Sequence, residues 1–282
     1  MSKVAVVGAG TMGNGIAHVF AQHGWETVLI DVSDEALGRG LATIKKNLER
    51  QEKKGVGSLE PGSRVLARIK TSTSLDAAKG AEIVVEAATE NPKIKFEIFA
   101  SLSRLLTPDS ILASNTSSIS ITEIAKQTDR PAKVIGMHFM NPVPLMPLVE
   151  VVKSQETAEA CVARVVEIAK VLGKTPVVVN DAPGFVSNRV LMPMINEAIL
   201  CVQEGVATAE AVDQVMTLGM KHPLGPLALA DLIGLDVCLA ILEVMVEGFA
   251  DTKYRPARLL REMVASGRLG RKSGVGFYVY RD

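Results

Sequence analysis

A glycine-rich loop near the start of the chain has the spacing of a phosphate-binding turn. Gly8-Ala9-Gly10-Thr11-Met12-Gly13 fits GxGxxG and lies between a β-branched run and a run of helical composition. The first glycine permits a tight turn, the second lets a pyrophosphate approach the backbone, and the third lets helix and strand pack closely. The helix N-terminus adds free N–H groups and a positive partial charge. The loop therefore predicts dinucleotide binding by Gly8, Gly10, Thr11, Met12 and Gly13.

Asp31 is a second candidate residue for the same site. It ends a strand-like run at residues 26–31, 18 residues after the loop, where a carboxylate can bind the ribose hydroxyls of an adenosine. Its charge would repel a 2′-phosphate, and residues 32–34 contain no arginine to receive one, so NAD is predicted rather than NADP. In the alternative interpretation Asp31 only caps the following helix, which Ser33 or Asp34 could do equally well.

A histidine and a glutamate lie in neighbouring strand-like runs. His138 belongs to the run at 134–139, and Glu150 follows twelve residues later in the run at 148–152. A histidine whose second ring nitrogen is held by a carboxylate has a fixed tautomer and a stabilised imidazolium, as a general base requires. The spacing alone leaves open a core histidine that is only hydrogen-bonded. The remaining histidines have ready surface or packing explanations: His18, His23 and His222.

Small polar residues follow another apolar run. Ser114-Asn115-Thr116-Ser117-Ser118 comes directly after the run at 110–113. Because open α/β sheets bind ligands outside the carboxyl ends of their strands, we interpret this cluster as a binding loop, with Asn115 and Ser117 as candidate cofactor contacts. Taken alone, the cluster fits a turn followed by a helix N-cap equally well.

The elements that must position these residues alternate between strand-like and helical runs. A strand–helix–strand unit starts at residue 3, and a lysine-rich helix is predicted over 34–55. Further strand-like runs lie at 82–87, 110–113, 134–139, 148–152 and 176–180. We predict an α/β fold: a Rossmann-type, mostly parallel sheet domain over residues 1–181, then an all-α domain over 182–282. The glycine-rich, basic tail at 267–280 is expected to fold back onto one of these domains.

Composition argues against several other classes of protein. The 282 residues are 48% hydrophobic and 22% charged, which is typical of a packed globular protein. Basic and acidic residues balance at 31 each, so no overall field favours nucleic acid or an anionic membrane. Three scattered cysteines suggest neither disulfides nor a zinc site, and we expect no metal. Without a long apolar span or a cleavable signal pattern, we expect a cytoplasmic protein or a mature matrix form.

Six motifs in chain order resemble the L-3-hydroxyacyl-CoA dehydrogenase family, and most closely its bacterial 3-hydroxybutyryl-CoA dehydrogenases. They are GAGTMGNG at 8–15, ASNTSS at 113–118, GMHFMNPVP at 136–144, LVEVV at 148–152, APGFVSNR at 182–189 and HPLGPLALAD at 222–231. The resemblance continues to the GRKSGVGFYVY tail and therefore covers nearly the whole chain. It implies the NAD-dependent interconversion of (S)-3-hydroxyacyl-CoA and 3-oxoacyl-CoA.

The resemblance also implies roles for individual residues. It makes His138 the general acid/base and Glu150 its orienting partner. Ser117 would bond the substrate oxygen, and Asn188 would assist at the same centre. Further positions match contacts to NAD: Glu90, Lys95, Asn141 and Lys272.

The resemblance also suggests a role for two lysines, and the chain departs from it at one proline. Lys53 and Lys54 correspond to basic residues near the coenzyme A arm, although paired lysines at a helix C-terminus also complement the helix dipole. Pro147 stands where many relatives have another residue, and it removes one N–H donor beside the strand with Glu150. We expect it to be tolerated as the residue that leads into that strand.

Two other functions are alternatives to this one, and the sequence also predicts an oligomeric state. A dehydrogenase of free 3-hydroxy acids would use a lysine as acid/base, which the His138–Glu150 pair disfavours. A non-catalytic NAD-binding protein is disfavoured because Ser117 and Asn188 accompany that pair. The apolar helical region at 224–246 exceeds what one small domain can bury, which predicts a homodimer.

Overall fold

The computed structural model describes residues 2–56 and 60–280. The chain forms two compact units, Met1–Ala182 and Pro183–Asp282. We call them the sheet unit and the helical unit, and each has its own hydrophobic core. Within the described ranges, no helix combines the length and apolar character needed to cross a bilayer.

The sheet unit is built on one eight-stranded sheet, counted over the described residues, in the order β3-β2-β1-β4-β5-β6-β7-β8. Its strands are β1 Lys3–Val7, β2 Glu26–Ile30, β3 Ile69–Ser72, β4 Ile83–Glu86, β5 Ile111–Ser114, β6 Val134–Phe139, β7 Leu148–Lys153 and β8 Thr175–Asn180. All neighbours are parallel except β6 and β7, which are antiparallel. The predicted α/β class with a mostly parallel sheet is confirmed.

Helices cover the sheet because its central strands are apolar on both faces. They are α1 Thr11–Gln22, α2 Asp34–Lys54, α3 Gly62–Ala67, α4 Pro92–Leu105, α5 Ile121–Ala125 and α6 Glu159–Val171. The predicted lysine-rich helix is α2, and it ends at Gly55 in the left-handed conformation. Pro147 lies just before β7, and its carbonyl accepts a 2.7 Å hydrogen bond from the Thr175 N–H.

The helical unit consists of α7 Ser187–Gln203, α8 Ala209–Gln214, α9 Pro226–Ile233, α10 Leu235–Phe249 and α11 Arg258–Ala265. The expected return of the tail is observed within this unit. The carboxylate of Asp231, which is fully buried on α9, accepts hydrogen bonds from the backbone N–H groups of Phe277 and Tyr278 and from the hydroxyl of Tyr280, each at 3.0 Å. One buried carboxylate therefore anchors the tail.

His18 on α1 gives the sheet unit an expected sensitivity to acid. It is fully buried, and neither ring nitrogen makes a well-formed hydrogen bond to the described residues. Burial lowers the pKa of His18 from 6.5 to about 4, and Gln51 opposes this shift only in part. Because the unfolded chain then binds the proton more readily, stability is lost as the pH falls from 6.5 towards 4, by roughly 3 kcal/mol in total.

The measurement is urea unfolding at several pH values, followed by the fluorescence of Trp25, the single tryptophan. Trp25 is buried in the core of the sheet unit and so reports on that unit. His18→Gln has no titrating ring and should flatten the dependence of the unfolding free energy on pH in this window. An equal slope in both proteins would contradict the assignment.

Candidate active site

The three glycines of the loop have different surroundings in the structure. Gly8 has φ +103°, and a Cβ there would lie 2.5 Å from the carbonyl oxygen of Ala87. A Cβ on Gly13 would lie 1.7 Å from the carbonyl oxygen of Gly8. Gly10 is the N-cap of α1 and supplies no side-chain cap, and a Cβ on it would meet nothing within 4 Å. The loop is therefore closed where strand and helix pack and open at the helix N-terminus, where a pyrophosphate would bind.

The carboxylate of Asp31 holds two turns together. Its Oδ2 accepts a 2.7 Å hydrogen bond from the backbone N–H of Ala9, in the glycine loop, and its Oδ1 accepts one of 3.1 Å from that of Ser33. Ser33 is itself the N-cap of α2, with its hydroxyl accepting from Ala36 N–H at 3.2 Å. Ser33 therefore caps α2, and Asp31 lies beside the glycine loop.

Asp31→Ser is expected to impair NADH use and to narrow the preference for NADH over NADPH. The change removes a charge that would repel a 2′-phosphate, and it also loosens the glycine loop. We expect the KM for NADH to rise about 10-fold, which corresponds to ~1.4 kcal/mol. Steady-state kinetics with both cofactors measures this, and Asp34→Ser, an exposed carboxylate in the first turn of α2, is the matched control. A wild-type enzyme with a higher kcat/KM for NADPH than for NADH would contradict the role expected of Asp31.

His138 and Glu150 face each other across the antiparallel pair β6 and β7, where they are direct partners in register. The Nδ1 of His138 lies 2.8 Å from the Oε2 of Glu150. Their side chains are 9% and 3% exposed, so the contact is shielded from water while the histidine keeps a narrow access. This is the geometry that fixes a tautomer, with Nδ1 as the donor.

Glu90 accepts several hydrogen bonds from the loop that follows β5. Its Oε1 accepts hydrogen bonds from the Thr116 hydroxyl, from the backbone N–H groups of Ser117 (2.9 Å) and Ser118 (3.1 Å), and from the Ser118 hydroxyl. Burial opposes ionisation of Glu90, but the Lys95 ammonium 3.3 Å away and these hydrogen bonds outweigh it and lower its pKa. The predicted cofactor residues Glu90, Lys95 and Ser117 therefore belong to one hydrogen-bonded group.

Glu86 at the end of β4 completes this group and was missed by the sequence analysis. It is fully buried, and its Oε1 lies 2.7 Å from the Nζ of Lys95, which is 1% exposed. The other oxygen, Oε2, accepts a 2.8 Å hydrogen bond from the Ser114 hydroxyl. A glutamate closing an otherwise apolar strand was the available signal, since such a charge must find a buried partner.

Asn115 links the end of β5 to β6, the strand that carries His138. It is 8% exposed and follows β5, and its Oδ1 accepts a 2.9 Å hydrogen bond from the backbone N–H of Phe139. Phe139 is the neighbour of His138 on β6. The amide therefore fixes the end of β6 beside the loop that Glu90 organises.

The remaining predicted residues lie on other helices or loops. Asn141 is exposed after β6, and Lys53 and Lys54 are exposed in the last turn of α2. In the helical unit, Asn188 is in the first turn of α7, and the Nζ of Lys272 lies 2.6 Å from an oxygen of Asp236. Among the described residues, no cluster of histidine, cysteine and carboxylate groups could hold a metal ion.

Sequence and structure comparisons identify the family. Residues 3–182 match the 3-hydroxyacyl-CoA dehydrogenase NAD-binding domain, and residues 184–280 match the C-terminal domain of the same family. A probable 3-hydroxybutyryl-CoA dehydrogenase of Bacillus subtilis (strain 168) is 54% identical over 282 residues, 100% of this chain and 98% of that protein.

Two more relatives agree with this match. A 3-hydroxybutyryl-CoA dehydrogenase of Bradyrhizobium diazoefficiens is 51% identical over 100% of this chain and 96% of its own length. The crystal structure of an (S)-3-hydroxybutyryl-CoA dehydrogenase from Ralstonia eutropha superposes with a TM-score of 0.96 at 51% identity, covering 100% of both chains. The resemblance and the predicted use of NAD are therefore confirmed, and the chain belongs to the 3-hydroxyacyl-CoA dehydrogenase family of NAD-dependent oxidoreductases.

Proposed function

We propose that this enzyme interconverts (S)-3-hydroxybutyryl-CoA and acetoacetyl-CoA, with His138 and Glu150 as its acid/base pair. The observation that carries the proposal is the 2.8 Å contact between His138 Nδ1 and Glu150 Oε2. It lies at the carboxyl end of β6, where sheets of this type bind ligands. Three relatives that match over nearly their full length carry names with the same four-carbon substrate.

The residues around the glycine loop fit NAD. The open N-terminus of α1 at Gly10 would hold the pyrophosphate, and Asp31 the adenosine ribose. We place the nicotinamide side of the cofactor near Glu90, Asn115 and Ser117. When bound, NAD accepts or supplies the hydride.

In the oxidation direction, His138 takes the proton of the substrate 3-hydroxyl. With Nδ1 donating to Glu150, Nε2 is the nitrogen assigned to this transfer, and Glu150 stabilises the imidazolium that forms. In the reduction direction the imidazolium returns the proton to the oxygen of the 3-oxoacyl group. Ser117 is proposed to bond that oxygen. Asn188 is assigned a supporting role, and Asn141 and Lys272 are assigned cofactor contacts, on the resemblance alone.

The test is the acetoacetyl-CoA-dependent oxidation of NADH. Loss of NADH absorbance with acetoacetyl-CoA but not with free acetoacetate is expected, and a series of longer 3-oxoacyl-CoA thioesters gives the chain-length preference. Activity with the free acid alone would favour the rival dehydrogenase of free 3-hydroxy acids. No turnover with either compound would favour a non-catalytic NAD-binding protein.

The coenzyme A arm is expected to contribute to catalysis as well as to binding. Its phosphates lie far from the reacting carbon, and binding energy from such remote groups can orient the reacting centre. A truncated thioester without the nucleotide should lose kcat/KM by about 10-fold or more, ~1.4 kcal/mol. Lys53 and Lys54 are proposed to receive these charges, and the exposed position of both lysines on α2 allows this contact.

Lys53→Ala/Lys54→Ala should therefore raise the KM for acetoacetyl-CoA and weaken the dependence of that KM on ionic strength. Kinetics with the full and the truncated thioester, at low and high salt, measures both effects. Lys45→Ala/Lys46→Ala, earlier on the same helix, is the matched control. If the double variant keeps the wild-type KM, the two lysines only complement the end of the helix.

We also propose that two copies of this chain form a homodimer through their helical units. The protein is proposed to be cytoplasmic. The support is a set of exposed apolar side chains in that unit, with Leu218 82%, Leu232 52% and Val237 40% exposed. Light scattering at micromolar concentration should give twice the chain mass. A monomer would refute this assembly.

A further inference from the structure

One buried lysine holds the segment that joins the two strands of the acid/base pair. Lys174 is 8% exposed, and its Nζ donates to the carbonyl oxygens of Val143 at 2.5 Å and Met146 at 2.8 Å. These carbonyls belong to residues 140–147, which lead from β6, with His138, to β7, with Glu150. We call residues 140–147 the connecting segment.

The chain places Lys174 through a tight turn after α6. Gly173 has φ +69°, and the backbone N–H of Lys174 then donates to the carbonyl of Ala169 at 2.9 Å. This left-handed glycine closes the helix and sends the lysine side chain into the unit just before β8 begins. The next residue, Thr175, donates its N–H to the Pro147 carbonyl at 2.7 Å, so backbone and side chain hold the same segment.

The connecting segment also packs against α1. Val143 is 2% exposed, and a Cβ on Gly15 would lie 2.8 Å from the Cβ of Val143. Gly15 therefore lets the segment approach the helix that begins at the glycine loop. Through Lys174 and Gly15, the connecting segment is held against both the end of α6 and the helix that begins at the glycine loop.

The charge on Lys174 is the feature that needs an explanation. A buried ammonium without a carboxylate partner carries a large desolvation cost, and no ion pair to Lys174 is formed within residues 2–56 and 60–280. Burial accordingly lowers its pKa. A methionine would fill similar space without that cost, but it could not bind two carbonyls at once. The ammonium therefore does what an apolar side chain could not do, which is to fix the position of the connecting segment.

We propose that Lys174 is a positioning residue for the reaction. By holding Val143 and Met146, it keeps the connecting segment against α1 and thereby fixes the distance between the His138–Glu150 pair and the cofactor loop. This inference rests on the proposed function of that pair. Hydride and proton transfer are sensitive to such distances, since a shift of about 1 Å can cost 10²-fold in rate.

The test is Lys174→Met in the full chain, assayed with saturating NADH and acetoacetyl-CoA well below its unfolding temperature. We expect kcat to fall by about 10-fold or more, with NADH affinity within about 3-fold of the wild type. With NADH deuterated at the transferred position, the isotope effect on kcat should increase, because the chemical step becomes slower. A role in stability alone would change neither kcat nor the isotope effect.

Arg130→Met is the matched control. Arg130 is another largely buried cation that binds carbonyls, those of Ser103, Leu106 and Thr107 at the end of α4. The Arg130→Met substitution should lower the stability of the protein and leave kcat and the isotope effect unchanged. If the wild type is active and Lys174→Met keeps its kcat, the positioning role is overturned while the proposed function stands. A wild type without thioester activity overturns the proposed function, and the inference with it.

Discussion

His138→Gln is expected to lower kcat for acetoacetyl-CoA reduction by ~10² to 10⁴-fold while leaving NADH affinity nearly unchanged. Glutamine keeps a polar side chain at the position but cannot exchange a proton with the substrate oxygen. His138 faces Glu150 rather than the glycine loop, so cofactor binding should not depend on it. Glu150→Gln keeps the shape of its partner but loses the charge that stabilises the imidazolium, and kcat should fall here too.

The measurement combines steady-state kinetics with a direct NADH binding titration. His222→Gln, in the helical unit, is the matched control because it removes a histidine that the proposed mechanism does not use, and it should keep wild-type turnover. Near-wild-type turnover in His138→Gln would reduce the pair to a structural contact between two strands.

Lys95→Met is expected to destabilise the sheet unit by about 3–5 kcal/mol, because it leaves the carboxylate of Glu86 buried without its cation. Both side chains are almost inaccessible, at 1% and 0% exposed, so water cannot replace the lost partner. The Lys95 contact with Glu90 disappears as well, so the loop at Ser117 should loosen. Urea unfolding followed by Trp25 fluorescence measures the first effect, and the KM for NADH measures the second.

Two control variants make this test specific. Lys126→Met breaks an exposed ion pair with Glu123, whose side chains are 54% and 52% exposed, and should change stability by less than about 1 kcal/mol. Glu86→Gln/Lys95→Met removes both charges and should recover part of the loss, since an uncompensated buried charge is the costly state. A single variant as stable as the surface control would show that the buried pair contributes little.

The sequence identified the strands of the sheet where apolar runs are continuous. The runs at 134–139 and 148–152 correspond to β6 and β7 within one residue. It missed β3, Ile69–Ser72, because only Ile69 is buried in that strand, so the sequence has neither a continuous apolar run nor a clear alternation. Its place beside β2 is decided by pairing across the sheet, which local patterns do not show.

The candidate site shows the same limit. The glycine loop and the His138–Glu150 spacing could be interpreted locally, because each depends on short-range geometry or on one strand pair. The burial of Lys95 between Glu86 and Glu90 could not, since a lysine near a helix N-terminus normally reaches solvent. The same holds for Lys174, whose carbonyl partners lie 28 and 31 residues away.

The anchor at Asp231 has a consequence for how the protein is made. Three donors that satisfy this buried carboxylate come from Phe277, Tyr278 and Tyr280, near the end of the sequence. During synthesis, α9 leaves the ribosome well before these donors exist, and the carboxylate must stay hydrated until they arrive. The helical unit therefore cannot complete its core until residues 277–280 have emerged, and a nascent chain stalled before Phe277 should remain sensitive to protease in that unit.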